Sequence, residues 1–210
     1  MSARQPWADS LLAPSLRQAS PRDREGVARF LAAMDREGLY ARHFAHGEAP
    51  NQALLRRLDL LDQQDRVAIL AIGDDGAVVG HAEYVAEGGE AEFAIILLPL
   101  LRGGGLGTRL LRALVEAARS AGQTRLHGVV QSANTPALQM ALRNGFRVLP
   151  GDDARVVIVS RALEAASPTW SSSFLVAAHG QLDSARHHDF DRTPLYRRAE
   201  PGTPLRAGGG

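Results

Sequence analysis

Apolar positions along the chain change period twice, and the two changes divide it into elements. Ser15 to Gln18 predicts a short opening strand. Pro21 then opens a helical stretch in which Val27, Phe30, Leu31 and Met34 recur at spacings of three and four. A second helix is predicted from Asn51 to Leu61, carrying Leu54, Leu55, Leu58 and Leu61. From Arg66 the pattern becomes that of strands. Val67 to Ile72 runs into Gly73-Asp74-Asp75-Gly76, Ala77 to Val85 into Glu87-Gly88-Gly89, and Glu90 to Leu98 follows. Three strands joined by tight turns make an antiparallel meander. Helical spacing then returns, with Leu106, Leu110, Leu114, Ala117 and Ala121 along one stripe and Gly122 placed to end the helix. Leu126 to Val130 reads as a strand. Thr135-Pro136 reads as an N-cap followed by proline at the first helical position, and that helix ends at Asn144-Gly145. Phe146 to Leu149 and Val156 to Val159 supply the last strands. The predicted order is βααβββαβαββ, an α/β domain over residues 15–163.

The flanks differ in composition. Residues 1–14 are small, polar and proline-containing and predict a loose N-terminus. Residues 164–210 are rich in Ser, Pro, Gly, His and Arg and predict a flexible tail, where His187-His188-Asp189-Phe190-Asp191 lacks the rigid frame a metal site needs. No basic patch followed by an apolar run marks a signal peptide, and no apolar stretch approaches the roughly 20 residues that span a membrane. A cytoplasmic protein with no membrane contact is the expectation. A net charge of +1 gives no electrostatic reason to expect nucleic acid as a partner. With no cysteine, disulfides, thiolate nucleophiles and thiolate metal sites are excluded. All 24 cationic side chains are arginine, which excludes a catalytic lysine, a Schiff base and self-acetylation on lysine.

One motif carries chemistry. Gly103, Gly104, Gly105 and Gly107 lie between a strand end and a helix start. Glycines there let the backbone approach a ligand and turn N–H groups inward, and the helix adds its unpaired N–H groups and positive end. A diphosphate suits such a turn. An ATPase phosphate loop would need Gly-Lys-[Ser/Thr], and the chain has no lysine. A dinucleotide fold would need Gly-x-Gly-x-x-Gly within a parallel βαβ unit, and here a meander precedes the turn. A purely structural turn remains the alternative.

The run Leu97-Leu98-Pro99-Leu100-Leu101-Arg102-Gly103-Gly104-Gly105-Leu106-Gly107-Thr108, with Asn134-Thr135-Pro136-Ala137 and Asn144-Gly145-Phe146, resembles the GNAT superfamily of N-acetyltransferases. Arg102, Gly105 and Gly107 match that family's [Gln/Arg]-x-x-Gly-x-[Gly/Ala] loop, and Asn134, Gly145 and Phe146 match its later helix. The resemblance implies a splayed sheet in which Glu90–Leu98 parts from Leu126–Val130. It implies that acetyl-CoA is the co-substrate, with no metal. The backbone of Ile96, Leu97 and Leu98 would take the pantetheine arm like an added strand. Arg102 and the N–H groups of Gly103, Gly104, Gly105, Leu106, Gly107 and Thr108 would take the pyrophosphate, and Asn134 completes the implied cofactor set. Leu98, Leu100 and Leu101 stand where the family often has polar residues, leaving an apolar rim.

The acceptor must offer an amine lone pair. A lysine of pKa about 10.4 is only roughly one part in 2,500 deprotonated at pH 7, a cost of about 4.6 kcal/mol. A placed carboxylate removes that proton. Glu92 stands where the resemblance puts the base, and alternation places Glu90, the fallback, on the same strand face. The family's tyrosine acid is replaced by Ala141. At that position, in Glu92-Phe93-Ala94 and in Leu39-Tyr40-Ala41-Arg42-His43-Phe44, the chain is similar to bacterial Pat-type protein lysine acetyltransferases, which implies protein lysines as acceptors. His81 and His127 fall within strand patterns and read as core or surface residues. A small-amine or antibiotic acetyltransferase and a non-catalytic acyl-CoA sensor stay open beside the lysine reading. The oligomeric state is not legible.

Overall fold

The computed structural model describes residues 14–35 and 48–164, and within 48–50 the backbone only. The predicted N-terminal and C-terminal flanks, apart from Pro14 and Glu164, lie outside the described residues, as does the Leu39–Phe44 segment. The strands are β1 (Ser15–Gln18), β2 (Arg66–Ile72), β3 (Val78–Glu87), β4 (Glu90–Leu97), β5 (Arg125–Gln131), β6 (Arg147–Pro150) and β7 (Val156–Ala162). The α-helices are α1 (Arg24–Ala32), α2 (Glu48–Leu58), α3 (Leu106–Ser120) and α4 (Thr135–Arg143). They follow the order βααβββαβαββ, and the strands form one seven-stranded sheet ordered β1-β2-β3-β4-β5-β7-β6. Every adjacent pair is antiparallel except β4 and β5.

Both faces of the sheet are covered. Period-two alternation along β2 sends Val67, Ile69 and Ala71 to one side and Ala68 and Leu70 to the other. The first set packs under α3 with Ala82, Tyr84, Ala91, Phe93, Leu126 and Val159. The second lies under α1 and α2, where Val27, Phe30, Leu31, Leu54, Leu55 and Leu58 close a smaller core around Ile96. The buried face of α3 is broader than the predicted stripe. Leu111, Val115 and Ala118 are buried beside Leu106, Leu110 and Leu114, whereas Ala117 and Ala121 are half-buried. A helix laid flat on a sheet buries a wide arc, not a narrow seam.

Two helix starts differ from expectation. The start of α2 lies one turn earlier than predicted, so Pro50 occupies its first turn, where a missing N–H costs nothing. In α4 the N-cap is Asn134, not Thr135: its side-chain oxygen accepts the N–H of Ala137 at 3.2 Å. The start of the first helical stretch, Pro21–Asp23, is 3-10. There the Asp23 carboxylate accepts from the Ser20 N–H at 2.9 Å and from the Arg17 guanidinium. The Arg17 hydrogen bond is the main influence holding the Asp23 pKa down to about 2, below the roughly 3.9 of an unfolded aspartate. A depressed carboxylate stabilises the fold above the unfolded pKa and loses that contribution as pH falls towards the folded one. Asp23→Asn should therefore flatten the fall in urea midpoint between about pH 4 and pH 2 relative to wild type.

Candidate active site

The parallel β4/β5 ladder has only three rungs: Glu90–Arg125, Ala91–Leu126 and Glu92–His127. Beyond Glu92 the strand β4 continues to Leu97, and beyond His127 the strand β5 continues to Gln131, with no further pairing between them. The sheet therefore opens at one rung. Phe93 stands at the start of this opening, and Gly128 lets β5 pass it. A Cβ on Gly128 would lie 2.9 Å from the Phe93 ring and 3.0 Å from its carbonyl oxygen. That ring also meets Phe146, with centroids 5.4 Å apart and the planes at 61°.

One side of β4 is consumed by β3 and the other faces the opening. The Leu98 N–H donates to Val79 O at 3.1 Å, extending the β3 ladder past Leu97. In an antiparallel pair the backbone groups alternate sides. Ile96 and Leu98 thus turn theirs to β3, and those of Ile95 and Leu97 face the opening. The predicted stretch Ile96 to Leu98 is in place, but Leu97 is its member with backbone groups directed at the opening. Its side chain packs with the α3 core, and Ile96 is buried on the α1/α2 side.

The glycine-rich turn follows directly. Pro99–Leu101 make one 3-10 turn, and Gly105, at φ 84°, is the N-cap of α3. That left-handed conformation suits glycine and strains other residues. None of the six N–H groups from Gly103 to Thr108 is taken by a protein acceptor among the described residues. The first one used is that of Arg109, which donates to Gly105 O at 3.1 Å. Leu106 is buried beneath the helix start, and the α-carbon of Gly107 approaches α4 so closely that a Cβ would lie 3.0 Å from Met140 Sδ. The turn is thus a row of N–H donors without protein acceptors after the end of β4, at the positive end of a 15-residue helix.

Other predicted site residues have different neighbours. The Arg102 guanidinium forks onto the Asp35 carboxylate at 2.7 and 3.1 Å, tying the turn to the end of the α1 stretch. Asn134 spends its side-chain oxygen on the α4 cap. Ala141 is buried in the α3-side core with Phe146, so no hydroxyl is offered there. Glu92 is half-buried on the strand face opposite Phe93, and Glu90 is exposed and paired with Arg125 at 2.9 Å. Tyr84, the tyrosine among the described residues, pairs with Phe93 across β3 and β4, but its hydroxyl donates to Gln64 O at 2.8 Å. Burial pushes its pKa up to about 12.

An opening in a parallel pair, beside a row of unused N–H groups, matches one family in particular. Residues 29–146 match the model of the acetyltransferase (GNAT) family. The chain belongs to that family. An acetyltransferase of Pseudomonas aeruginosa is 28% identical over 149 residues, which are 68% of this chain and 80% of that protein. The GNAT domain of S. lividans PAT superposes with a TM-score of 0.65 at 23% identity, over 70% of this chain and 89% of that one. A GNAT superfamily phosphinothricin acetyltransferase from Sinorhizobium meliloti, in complex with AcCoA, gives 0.61 at 20% identity, over 76% and 95%. The mixed, splayed α/β sheet is the GNAT fold, and the protein is a GNAT-family acetyltransferase.

Three groups that the fold assembles carry no site signal in the sequence, where His127 reads only as a core or surface residue. His127 shares the last rung with Glu92. Asp35 holds Arg102. Arg57 of α2 and Glu83 of β3 form a buried ion pair at 2.8 Å on the α1/α2 face. Each joins residues far apart in the chain, and none has a local signature.

Proposed function

We propose that this protein transfers the acetyl group of acetyl-CoA to a primary amine, with lysine side chains of proteins as acceptors and Glu92 as the general base. The observation that carries the reading is the opening of β4 from β5 with six unused N–H groups at its end. A pyrophosphate laid on Gly103–Thr108 runs its pantetheine arm along the free edge of β4, where Leu97 and Ile95 offer backbone partners. The thioester then reaches the rung of Glu92.

Chemistry at that rung needs two proton movements. The acceptor ammonium loses one proton to the Glu92 carboxylate. The freed amine attacks the thioester carbon, a C–N bond forms and the C–S bond breaks. The second N–H proton goes to the departing sulfur, directly or through water, because position 141 carries no hydroxyl. The resemblance of Glu92-Phe93-Ala94 and of residues 39–44 to the Pat-type pattern supports lysine as the acceptor.

Incubating the protein with acetyl-CoA and a deacetylated cell lysate, followed by an anti-acetyllysine blot, should reveal new acetylated bands. Acetylation confined to a panel of small amines would replace the lysine reading with the small-amine one. Binding of acetyl-CoA with no acetylated product in either assay would make the protein a sensor and sink the catalytic proposal.

A further inference from the structure

The opening between β4 and β5 ends at an aromatic ring. Past the last rung, the unpaired stretches of the two strands carry Ile95, Leu97 and Val130, all half-buried and packed with the α3-side core. Two residues nearer the ladder on each strand stand Phe93 and Gly128, and both are buried. The Phe93 ring lies against β5 there: a Cβ at position 128 would be 2.9 Å from its Cε1 and 3.1 Å from its Cζ. The missing side chain of Gly128 is what admits the ring. The buried Phe146 packs against it in a T-shaped pair. A ring held between a strand backbone and a second ring resists displacement, because any shift forfeits contacts on both sides.

We propose that Phe93 sets the acyl group this protein transfers, stopping the donor chain at acetyl. This rests on the reading in which the pantetheine arm runs along the free edge of β4 towards Glu92. A thioester is planar, and an amine attacks its carbonyl carbon from above or below that plane. Glu92 is on the strand face opposite Phe93, so the amine arrives from that face. The acyl carbons beyond the carbonyl then continue away from the sulfur, within the opening and towards the ring.

An acetyl methyl ends in front of Phe93. A longer chain must displace the ring, which its packing on Gly128 and Phe146 opposes, or turn to the face of Glu92 and compete with the amine. One methylene too many in an apolar pocket is worth roughly 10- to 200-fold in discrimination. Phe93 takes no part in the proton movements. It determines specificity by excluding volume, and the donors it rejects are the propionyl, butyryl and longer thioesters of the same cofactor.

Two measurements test it. The first needs no acceptor: acetyl-, propionyl- and butyryl-CoA are titrated into the protein by calorimetry. The wild type should bind butyryl-CoA at least roughly tenfold more weakly than acetyl-CoA, and Phe93→Leu should bring the two within about threefold. The second is turnover of the same donors on an amine that the wild type acetylates. In Phe93→Leu the ratio of kcat/KM for propionyl-CoA to that for acetyl-CoA should rise at least roughly tenfold. A general loss of stability lowers both rates and cancels in that ratio. Leu114→Val, which loosens the same core from α3, should leave the ratio within about threefold of wild type. Equal wild-type binding of acetyl- and butyryl-CoA, an unmoved ratio in Phe93→Leu, or an equal rise in Leu114→Val overturns the stop. Should Phe93→Leu fail to fold, the wild-type binding series alone decides between these outcomes. Discrimination in binding with no transfer from any donor would sink the catalytic reading and leave the stop in place.

Discussion

Replacing Glu92 by glutamine should lower kcat by roughly 10²- to 10⁴-fold, the range a general base contributes, and should leave KM for acetyl-CoA near its wild-type value. The split follows from geometry. The groups proposed to hold the cofactor are backbone atoms of Leu97 and of the turn from Gly103 to Thr108, which a side-chain change at position 92 should not disturb. Glutamine keeps the size and polarity of the side chain on its half-buried strand face, so the fold is preserved. What it cannot do is accept the ammonium proton, and at pH 7 a lysine acceptor must find about 4.6 kcal/mol to lose that proton unaided. The loss should shrink as pH rises towards the acceptor's own pKa, because free amine then becomes available without a base. Glu90→Gln serves as the control. Its carboxylate is exposed and occupied by Arg125, so kcat should change less than about threefold. Steady-state kinetics of the two variants between pH 6 and 9.5 decide it. A Glu92→Gln enzyme with wild-type kcat, or one whose loss does not depend on pH, would rule out the base.

Much of this frame is legible in the sequence. Element order, the meander and the glycine turn all rest on local signals: period two or 3.6, Gly-rich turns, and glycines between a strand end and a helix start. Those signals act within a few residues, and so the elements came out right to within a few positions. Errors sit where a neighbouring residue competes for the same role, as Asn134 displaced Thr135 at the α4 cap. The long-range pairs were hidden. No property of Leu126-His127-Gly128 says which residue of β4 it will meet, because parallel register is fixed by packing of α3 and the two cores, not by a turn. The resemblance implied where the sheet would part, yet not that a histidine would share the parting rung. Arg102 shows the converse limit. Its place in the motif was evident, but its carboxylate partner, Asp35, is 67 residues away in sequence.

Arg57→Met should cost about 3 kcal/mol or more of folding stability, because it takes the guanidinium away from a buried carboxylate. Arg57 reaches from the last turn of α2 to Glu83 on β3, with Nε and a terminal nitrogen 3.2 and 2.8 Å from the two oxygens. The side chains are 12% and 3% exposed, so water does little to replace the guanidinium. Such a pair is weak evidence for net stability, since desolvating both ions offsets much of their attraction. Removing one partner alone is another matter: the desolvation of Glu83 remains and the attraction of Arg57 goes. Arg57→Met combined with Glu83→Leu should therefore recover most of the loss. Urea unfolding of the two single variants and the double variant forms the cycle that measures the coupling. The pair also ties α2 to the sheet face that carries Glu92, the base proposed for the reaction. The double variant should then refold to near-wild-type stability and bind acetyl-CoA normally, while KM for the amine rises if α2 moves. An Arg57→Met variant within about 0.5 kcal/mol of wild type would mean that the core relaxes enough to hydrate Glu83, and that α2 is not anchored by this contact.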